Sequence, residues 1–323
     1  MKVLVTGGAG FIGSHIVEHY LNKGDEVWVI DNLDTGILTN LPAIDRLRIC
    51  EMDLANCDKL DEAVAWADLI FHAAATVGMH HVLKDPLYTL TNNLKCLEAL
   101  YESLKKNKKQ QRILYLSSSG VYWNTKSKDG LLHENTDLEV HPEKYKQEPY
   151  TLSKLTGEVM TLNVGAELGL FVTVARVFNT VGVRQTGKYG MVLPRFIEWA
   201  IHDHPFMVYG DGQQTRSFCN VHDTVEALTK LIECDKARLE IVNVGNDREI
   251  AILDLAKLVK SVLKSKSEII HVSYKDVFGF DFVDVRSRRP CIDKLKNLID
   301  FHPKWTLEMT IEEIATHLKA HTN

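Results

Sequence analysis

Apolar residues in the first half of the chain form short continuous runs, and the longer segments between them carry apolar residues at helical spacing. A continuous apolar run is typical of a strand buried on both faces, whereas helical spacing indicates an amphipathic helix. The runs predict strands at residues 2–6, 26–30, 47–51, 68–72, 112–117, 170–177 and 241–244. The segments between them predict helices at 11–23, 86–106 and 150–167. This alternation predicts an α/β fold built on a doubly wound parallel sheet.

The pattern becomes less regular after residue 178, which predicts a second and smaller unit. Helices are expected there at 191–202, 222–234, 251–264 and 307–320, joined by loops rich in Gly, Asp and Pro. We therefore divide the chain into an N-terminal domain at residues 1–178 and a smaller C-terminal α/β lobe at 179–323. The second unit is expected to be discontinuous, because the strand near 241–244 is assigned to the sheet of the first.

The composition fits a globular protein from a reducing compartment. The 323 residues are 45% hydrophobic and 25% charged with a net charge of −5, so there is no basic excess for nucleic-acid binding. No apolar stretch reaches the roughly 20 residues of a membrane span, and the N-terminus has no secretory signal. The six cysteines are scattered, without the spacing of zinc ligands. We expect a soluble cytoplasmic protein that binds no metal, nucleic acid or membrane.

A glycine-rich turn directly follows the first predicted strand and opens the first predicted helix. Its sequence, TGGAGFIG at residues 6–13, satisfies both G-x-G-x-x-G and G-x-x-G-x-x-G. Residues without a Cβ let backbone N–H groups approach a pyrophosphate, and the helix N-terminus adds partial positive charge. The turn therefore predicts a Rossmann-type dinucleotide site that includes Gly7, Gly10, Phe11, Ile12 and Gly13.

The second predicted strand ends in Asp31, which lies 18 residues after Gly13. A carboxylate at this place accepts hydrogen bonds from the hydroxyl groups of an adenosine ribose and repels a 2′-phosphate. The spacing therefore favours NAD over NADP as the cofactor. The alternative is that Asp31 is an ordinary solvated loop residue.

Tyr150 and Lys154 share one face of a predicted helix, because they lie four positions apart. A neighbouring ammonium group and an oxidised nicotinamide favour the phenolate, so the pair can supply a general base. The spacing alone is also that of an ordinary exposed helix face. Ser117–Ser119 end the strand at 112–117, at the sheet edge where ligands bind, and their hydroxyls either hold the reacting oxygen or cap the turn.

Taken together, these motifs resemble the extended short-chain dehydrogenase/reductase superfamily, in particular its branch of NAD-dependent nucleotide-sugar epimerases, dehydratases and decarboxylases. The resemblance covers essentially the whole chain. The motifs that carry it are TGGAGFIGS (6–14), DNLDTG (31–36), SSSGVY (117–122), YTLSK (150–154), RVFNTVG (176–182), YGDGQQTRSF (209–218) and RRP (288–290). The family also implies a homodimer formed through the helices at 86–106 and 150–167.

The resemblance implies roles for individual residues. Ser118, Tyr150 and Lys154 correspond to the catalytic residues of the family, with Tyr150 as the base. Beyond the glycine turn and Asp31, the residues implied to bind NAD are Asn32, Asp53, Leu54, Ala73, Ala74, Ala75, Tyr150 and Lys154. The residues implied to bind the substrate, whose diphosphate suits arginine, are Ser119, Asn179, Arg216 and Arg288, with Arg286 as an alternative to Arg288.

Three departures from the family pattern bear on the reaction. Dehydratases place an Asp and a Glu where this chain has Ser119 and Gly120, and decarboxylases place a catalytic Glu at the second position. Their absence weighs against a dehydratase, since elimination needs an acid, and less strongly against a decarboxylase. The segment after Asn93 is about four residues, or one helical turn, shorter than in the family. Trp123 stands where Gly is usual, and it either reshapes the sugar pocket or packs in a loop.

The sequence therefore predicts a nucleotide-sugar 4-epimerase that acts on a UDP-sugar, of the UDP-glucose or UDP-glucuronate type, through a transient 4-keto intermediate. A UDP-glucuronate decarboxylase and a 4-keto-sugar reductase remain alternatives, and a protein that senses NAD without catalysis is a further class. If the substrate carries a carboxylate, His80 and His81 are candidates for its cationic partner.

Overall fold

A computed structural model of the chain describes residues 1–107, 109–123, 125, 127, 129–141, 148–187, 191–278 and 284–321, without the side chains of residues 79–81 and 321. The strands are β1 (Lys2–Thr6), β2 (Glu26–Asp31), β3 (Leu47–Glu51), β4 (Leu69–His72), β5 (Arg112–Ser118), β6 (Phe171–Val177), β7 (Thr180–Val181), β8 (Phe206–Tyr209), β9 (Thr215–Ser217), β10 (Cys219–Asn220), β11 (Glu240–Val244), β12 (Glu249–Ala251) and β13 (Ile269–Val272). The helices are α1 (Phe11–Asn22), α2 (Leu60–Trp66), α3 (Met79–Lys84), α4 (Pro86–Lys106), α5 (Glu148–Leu168), α6 (Val192–Ile201), α7 (Val221–Glu233), α8 (Ile252–Leu263), α9 (Tyr274–Phe278), α10 (Asp293–Ile299) and α11 (Leu307–His321).

Seven of these strands form one parallel sheet in the order β11-β6-β5-β4-β1-β2-β3. The sheet confirms the predicted Rossmann-type α/β fold. The chain winds outward in one direction from β1 to β3 and in the other from β4 to β6, so a crevice forms at the carboxyl ends of the central strands. The outermost strand, β11, comes from the C-terminal part of the chain and pairs with β6.

Helices cover both faces of the sheet, which explains why the strands are continuously apolar. Val3 and Val5 of β1 pack into one apolar cluster, together with residues of α1 and α7. Leu4, between them, points to the opposite face and packs into a second cluster with residues of α2 and α4. Because both faces are buried, both alternate positions of the strand are mostly apolar.

A third apolar cluster joins the C-terminal elements, with Phe196 from α6, Phe206 from β8, Leu255 from α8 and Ile311 from α11. Around it, β8 pairs with β13 in parallel and β9 pairs with β12 antiparallel. Strand β7 follows β6 closely in the chain and forms a further short pair with β10. It attaches the C-terminal elements to the carboxyl edge of the central sheet.

The predicted strands and helices are all present, and their ends lie within two residues of the predicted ends. The pattern did not predict α2, α3, α9, α10 or the short strands outside the central sheet. Those helices have two turns or fewer, so each contains too few apolar repeats for a periodic signal. The boundary between domains at residue 178 stays a prediction.

A buried polar network joins β5, β6, β11 and α5. Arg176 on β6 donates to both carboxylate oxygens of Glu158 on α5, at 2.9 and 2.7 Å. Ser117 on β5 donates its hydroxyl to the same carboxylate at 2.5 Å. Arg176 also donates to the hydroxyl of Tyr122 at 2.9 Å, which in turn donates to Asn243 of β11 at 2.7 Å. Because Arg176 and Glu158 are both buried, each charge needs the other as its compensation.

Replacing Arg176 by Met is expected to lower the free energy of unfolding by about 3–5 kcal/mol, because the Glu158 carboxylate is left buried without its cation. Urea unfolding followed by circular dichroism measures the change. Lys105→Met is the matched control and should change stability far less, since Lys105 and Glu102 form an exposed ion pair that water and salt screen. Equal losses of stability in the two variants would contradict the structural role of the buried pair.

Candidate active site

A cavity of about 610 Å³ lies at the carboxyl ends of the central strands. Its wall runs from the turn after β1, past the end of β5 and the start of α5, to the C-terminal elements. The site residues predicted from the sequence all line it: Gly7, Gly10, Phe11, Ile12, Gly13, Asp31, Asn32, Asp53, Leu54, Ala73, Ala74, Ala75, Ser118, Ser119, Tyr150, Lys154, Asn179, Arg216 and Arg288. The fold thus collects residues from distant parts of the sequence around one space.

The glycine turn packs too closely for side chains. A Cβ added at Gly13 would lie 2.1 Å from the carbonyl oxygen of Gly7, and one at Gly7 would lie 2.7 Å from the backbone nitrogen of Ala74. Gly7 also has a φ of 71°, which L side chains rarely adopt. Among the described residues, no side chain caps the N-terminus of α1 and no acidic residue occupies its first turn. The free N–H groups of α1 therefore suit an anion such as a pyrophosphate.

The adenosine end of the expected cofactor site has carboxylates held by the backbone. One oxygen of Asp31 accepts the N–H of Ala9 at 2.9 Å, and the other accepts the N–H of Leu33 at 2.8 Å. These bonds fix the carboxylate at the end of β2, where ribose hydroxyl groups can reach it. Asp53 accepts the side-chain amide of Asn32 at 3.2 Å and so joins the neighbouring strand end to the same site. Carboxylates held in this way suit the ribose hydroxyl groups of NAD.

Ser118 and Tyr150 meet in the wall of the cavity. Ser118 is the last residue of β5, and Tyr150 lies in the first turn of α5. Burial raises the pKa of the Tyr150 phenol, whereas a hydrogen bond with Ser118 and the charge of Arg288 act in the opposite direction. Ser118 and Arg288 therefore both favour the phenolate, and the same role expected of Lys154 stays a prediction.

Lys154 lies one helical turn after Tyr150 and is buried. Its ammonium group donates to the carbonyl oxygen of Leu116 at 2.7 Å and lies 5.0 Å from the ring centroid of Tyr115. Burial lowers the pKa of Lys154 to about 8, and the Glu158 carboxylate partly offsets this effect. Lys154 is thus held near the end of β5, with a pKa much closer to neutral pH than that of an exposed lysine.

The two arginine candidates for the substrate phosphates have different surroundings. Arg216 forms an ion pair with Asp284 at 2.7 Å and donates to backbone carbonyls. Burial, followed by the charge of Arg216, lowers the pKa of Arg288 to about 10. Two cations near each other favour an anionic ligand between them. Arg286, the alternative to Arg288, is 70% exposed and pairs with Asp211 at 2.9 Å on the surface, outside the cavity wall.

Gly120 lies where decarboxylases and dehydratases of the resembled branch carry an acid. A Cβ at this position would lie 3.3 Å from the hydroxyl oxygen of Ser118 and 3.5 Å from Cε1 of Tyr150. A side chain here would therefore point at the reacting groups. Ser119, the other position of that pair, is buried beside it and lines the cavity.

The remaining departures also have defined surroundings. Trp123 lines the cavity and has a φ of 38°, so it belongs to the pocket wall. Asn93, just before the shortened segment, bonds the backbone of Thr76 at 2.7 Å and the hydroxyl of Ser153 on α5 at 3.0 Å. Helix α4 is continuous through this region and packs on α5. The homodimer expected through these two helices stays a prediction.

Several residues that line the cavity were not predicted from the sequence as site residues. The C-terminal elements contribute Arg184, Arg195, Gln214, Tyr274 and Asp284. Arg184 lies two residues after the end of the RVFNTVG motif, so its position was a usable signal. Tyr274 and Asp284 belong to no motif, and only the tertiary fold brings the Tyr274 hydroxyl to 2.6 Å from the Asp284 carboxylate. His80 and His81 lie on α3, and their side chains are outside the described part of the chain.

The lowered pKa of Lys154 predicts a pH dependence of stability in the protein without ligands. Between pH 8 and about 10.4, an unfolded chain keeps a proton on this lysine that the folded protein has lost, so stability rises with pH. Relative to Lys154→Met, the free energy of unfolding should increase by about 1.5 kcal/mol from pH 8 to pH 9.5. Urea titrations at the two pH values measure it. Lys105→Met should retain the wild-type slope, and a Lys154→Met variant with that same slope would refute the shift.

Comparison with known proteins identifies relatives along the whole chain. A UDP-N-acetyl-alpha-D-glucosaminuronate decarboxylase of Bacillus cytotoxicus is 31% identical over 97% of this chain and 96% of its own length. UDP-glucuronic acid decarboxylase 1 of Arabidopsis thaliana is 34% identical over 95% of this chain and 67% of its own. A crystal structure of UDP-glucuronic acid 4-epimerase from Bacillus cereus, with UDP-glucuronic acid and NAD, has a TM-score of 0.86 at 26% identity, covering 99% of both chains.

Two further findings complete the comparison. No helix in the described part of the chain has both the length and the apolar character to cross a membrane. Residues 3–245 match the family described as the NAD dependent epimerase/dehydratase family. The chain therefore belongs to this family of NAD-dependent enzymes that act on nucleotide sugars.

Proposed function

We propose that the protein is a UDP-sugar 4-epimerase acting on UDP-glucose or UDP-glucuronate. The observation that supports it most is the surroundings of Tyr150, which has the hydroxyl of Ser118 as a hydrogen-bond partner and Gly120 beside it instead of a carboxylate. With bound NAD as the hydride acceptor, Tyr150 and Ser118 can carry the proton transfer of a reversible oxidation of a sugar hydroxyl. The missing side chain at Gly120 leaves room for a sugar ring to present either face to the base.

The proton transfer is assigned to this chain's own groups. Tyr150 takes the proton of the sugar 4-hydroxyl group and later returns it, and Ser118 hydrogen-bonds the same oxygen throughout. The charge of Arg288 favours the phenolate form of Tyr150 during this step. Lys154, whose ammonium group donates to the carbonyl of Leu116, is assigned to the ribose of the nicotinamide half of NAD. Bound NAD supplies the hydride acceptor for oxidation and the hydride donor for the return step.

The other end of the substrate must stay bound while the sugar turns over. Arg216 and Arg288 are assigned to the diphosphate, since guanidinium groups bind phosphate oxygens in pairs. Asn179, whose side-chain amide donates to the carbonyl of Ser217 at 3.1 Å, is assigned to the same region. Anchoring through the diphosphate lets the 4-keto sugar rotate without leaving, so hydride can return to the opposite face.

Decarboxylation of UDP-glucuronate is the second candidate. It begins with the same oxidation at C4, after which the 4-keto acid loses its carboxyl group as CO₂ and the resulting carbanion is protonated. The hydride that bound NAD would hold then returns to C4, so the product is a UDP-pentose and the cofactor is regenerated. One observation favours it: the charge of Arg288 acts directly on Tyr150, so a cation lies near the reacting end of the cavity and suits a sugar carboxylate. The names of the two relatives that match nearly all of this chain also favour it.

Incubation of the NAD-loaded protein with UDP-glucose, UDP-glucuronate and UDP-N-acetylglucosamine, followed by proton NMR of the sugars, tests the proposal. The expected result is conversion of one substrate to a mixture with its C4 epimer, without net NADH formation. Release of CO₂ and formation of a UDP-pentose would replace the proposal by the second candidate. A sustained absorbance change at 340 nm that matches substrate consumption would indicate a net oxidoreductase instead.

Tyr150→Phe should lower turnover by about 100- to 10,000-fold, the usual contribution of a positioned acid–base group. NAD affinity, measured by fluorescence titration, should stay close to that of the unchanged protein. Tyr88→Phe is the control, because Tyr88 is 46% exposed on α4 and outside the cavity wall. Turnover by Tyr150→Phe at the rate of this control would remove Tyr150 from the reaction.

Arg288→Met should weaken the binding of UDP by about 10- to 100-fold, the loss expected for one or two charged hydrogen bonds. Isothermal titration calorimetry with UDP measures the effect. Arg286→Met is the matched control and should bind UDP normally, because Arg286 is paired on the surface. Normal UDP binding by Arg288→Met, together with weakened UDP-glucuronate binding, would reassign Arg288 from the diphosphate to the sugar carboxylate.

A further inference from the structure

Two cysteines lie side by side next to the adenosine end of the cavity, and the proposed reaction uses neither. Cys50 is on the edge strand β3, and Cys57 follows the short helical turn at Leu54–Asn56. Their sulfur atoms are 3.7 Å apart. Both residues are half-buried, so a small reagent can reach them. Cys234 is equally half-buried, but it donates its thiol to the carbonyl of Leu298.

The segment between the two sulfurs contributes directly to the cavity wall. Met52, Asp53 and Leu54 line the cavity, at the end where NAD is expected to place its adenine. Asp53 accepts the N–H of Ala55 at 2.9 Å and the amide of Asn32 at 3.2 Å, so its position depends on the path of this short segment. A bond between Cys50 and Cys57 would close a ring around these three residues.

We propose that Cys50 and Cys57 form a dithiol modification site that takes two-electron oxidants such as hydrogen peroxide, and that the disulfide formed weakens NAD binding. In the first step the Cys50 thiolate attacks one peroxide oxygen, the O–O bond breaks, and Cys50 becomes a sulfenic acid with release of hydroxide. In the second, the sulfur of Cys57 attacks the Cys50 sulfur, the S–O bond breaks, and the thiol proton leaves with the oxygen as water. Two thiols and one peroxide thus give one disulfide and two waters.

The local geometry assigns the two roles. Burial and the neighbouring Cys50 sulfur raise the pKa of the Cys57 thiol to about 11, so Cys57 forms little thiolate and is assigned the resolving role. Cys50 is fixed by the pairing of β3 with β2, where it lies opposite Ile30. A disulfide requires sulfurs about 2.05 Å apart, so the approach must come largely from the segment that carries Cys57. That movement displaces Asp53 and Leu54.

Peroxide treatment of the protein, with bound NAD removed and then with NAD restored, tests the site. Peptide mass spectrometry should find a Cys50–Cys57 disulfide, absent from Cys50→Ser and Cys57→Ser and retained in Cys234→Ser. Oxidation should weaken NAD binding by about tenfold, as expected for one lost hydrogen bond at Asp53, and a dithiol reductant should restore it. Saturating NAD should slow the oxidation. NAD binding is measured directly, so the result does not depend on which sugar the enzyme converts.

Phenylarsine oxide gives a second measurement on the unsubstituted protein, because a trivalent arsenical bridges two thiols only when they are close. One equivalent should protect both Cys50 and Cys57 from maleimide and leave Cys234 reactive. Independent alkylation of the two cysteines after peroxide or arsenical treatment would overturn the proposed site. A disulfide that forms without any change in NAD affinity would overturn its link to the cofactor.

Discussion

The buried ion pair between Glu158 and Arg176 is the interaction on which the site depends. Ser117, which donates to Glu158, immediately precedes Ser118, and Lys154 lies one helical turn before Glu158 on the same face of α5. Arg176 lies three residues before Asn179, at the end of β6. A movement at this pair would therefore shift the base, its hydroxyl partner and the substrate end together. The buried charge pair thus fixes the relative positions of several groups of the site, because each of its two charges needs the other.

The neutral phenol of Tyr150 is the favoured form in the unliganded cavity, because the effect of burial on its pKa outweighs the groups that support the phenolate. Burial opposes the phenolate, whereas Ser118 and Arg288 support it. Burial likewise opposes the charged form of Arg288, whose pKa falls to about 10. Each ligand charge that enters changes this balance, because interactions between charges are stronger away from water. A base must both accept and return a proton, and a strongly stabilised phenolate would not give the proton back.

The sequence predicted the central sheet closely because its strands are buried on both faces and its helices are long enough to show a period. The predicted site residues also line one cavity, as expected, since the carboxyl ends of parallel strands share an edge of the sheet. It could not separate Arg286 from Arg288, because residues two apart in a basic loop have the same local pattern. It also could not foresee that Lys154 would bond Leu116 or that Asp284 would pair with Arg216, since these contacts depend on tertiary packing.

The position of β11 has a consequence for how the enzyme can be divided. This strand completes the sheet beside β6, although it lies more than 60 residues later in the chain, after the elements of the C-terminal cluster. A fragment ending at residue 178 would expose the edge of β6 and lose the partner that Asn243 provides for Tyr122. An open edge strand of this kind invites pairing with other chains. A fragment of residues 1–178 would therefore lack one of the seven strands of its own sheet and one link of its buried polar network.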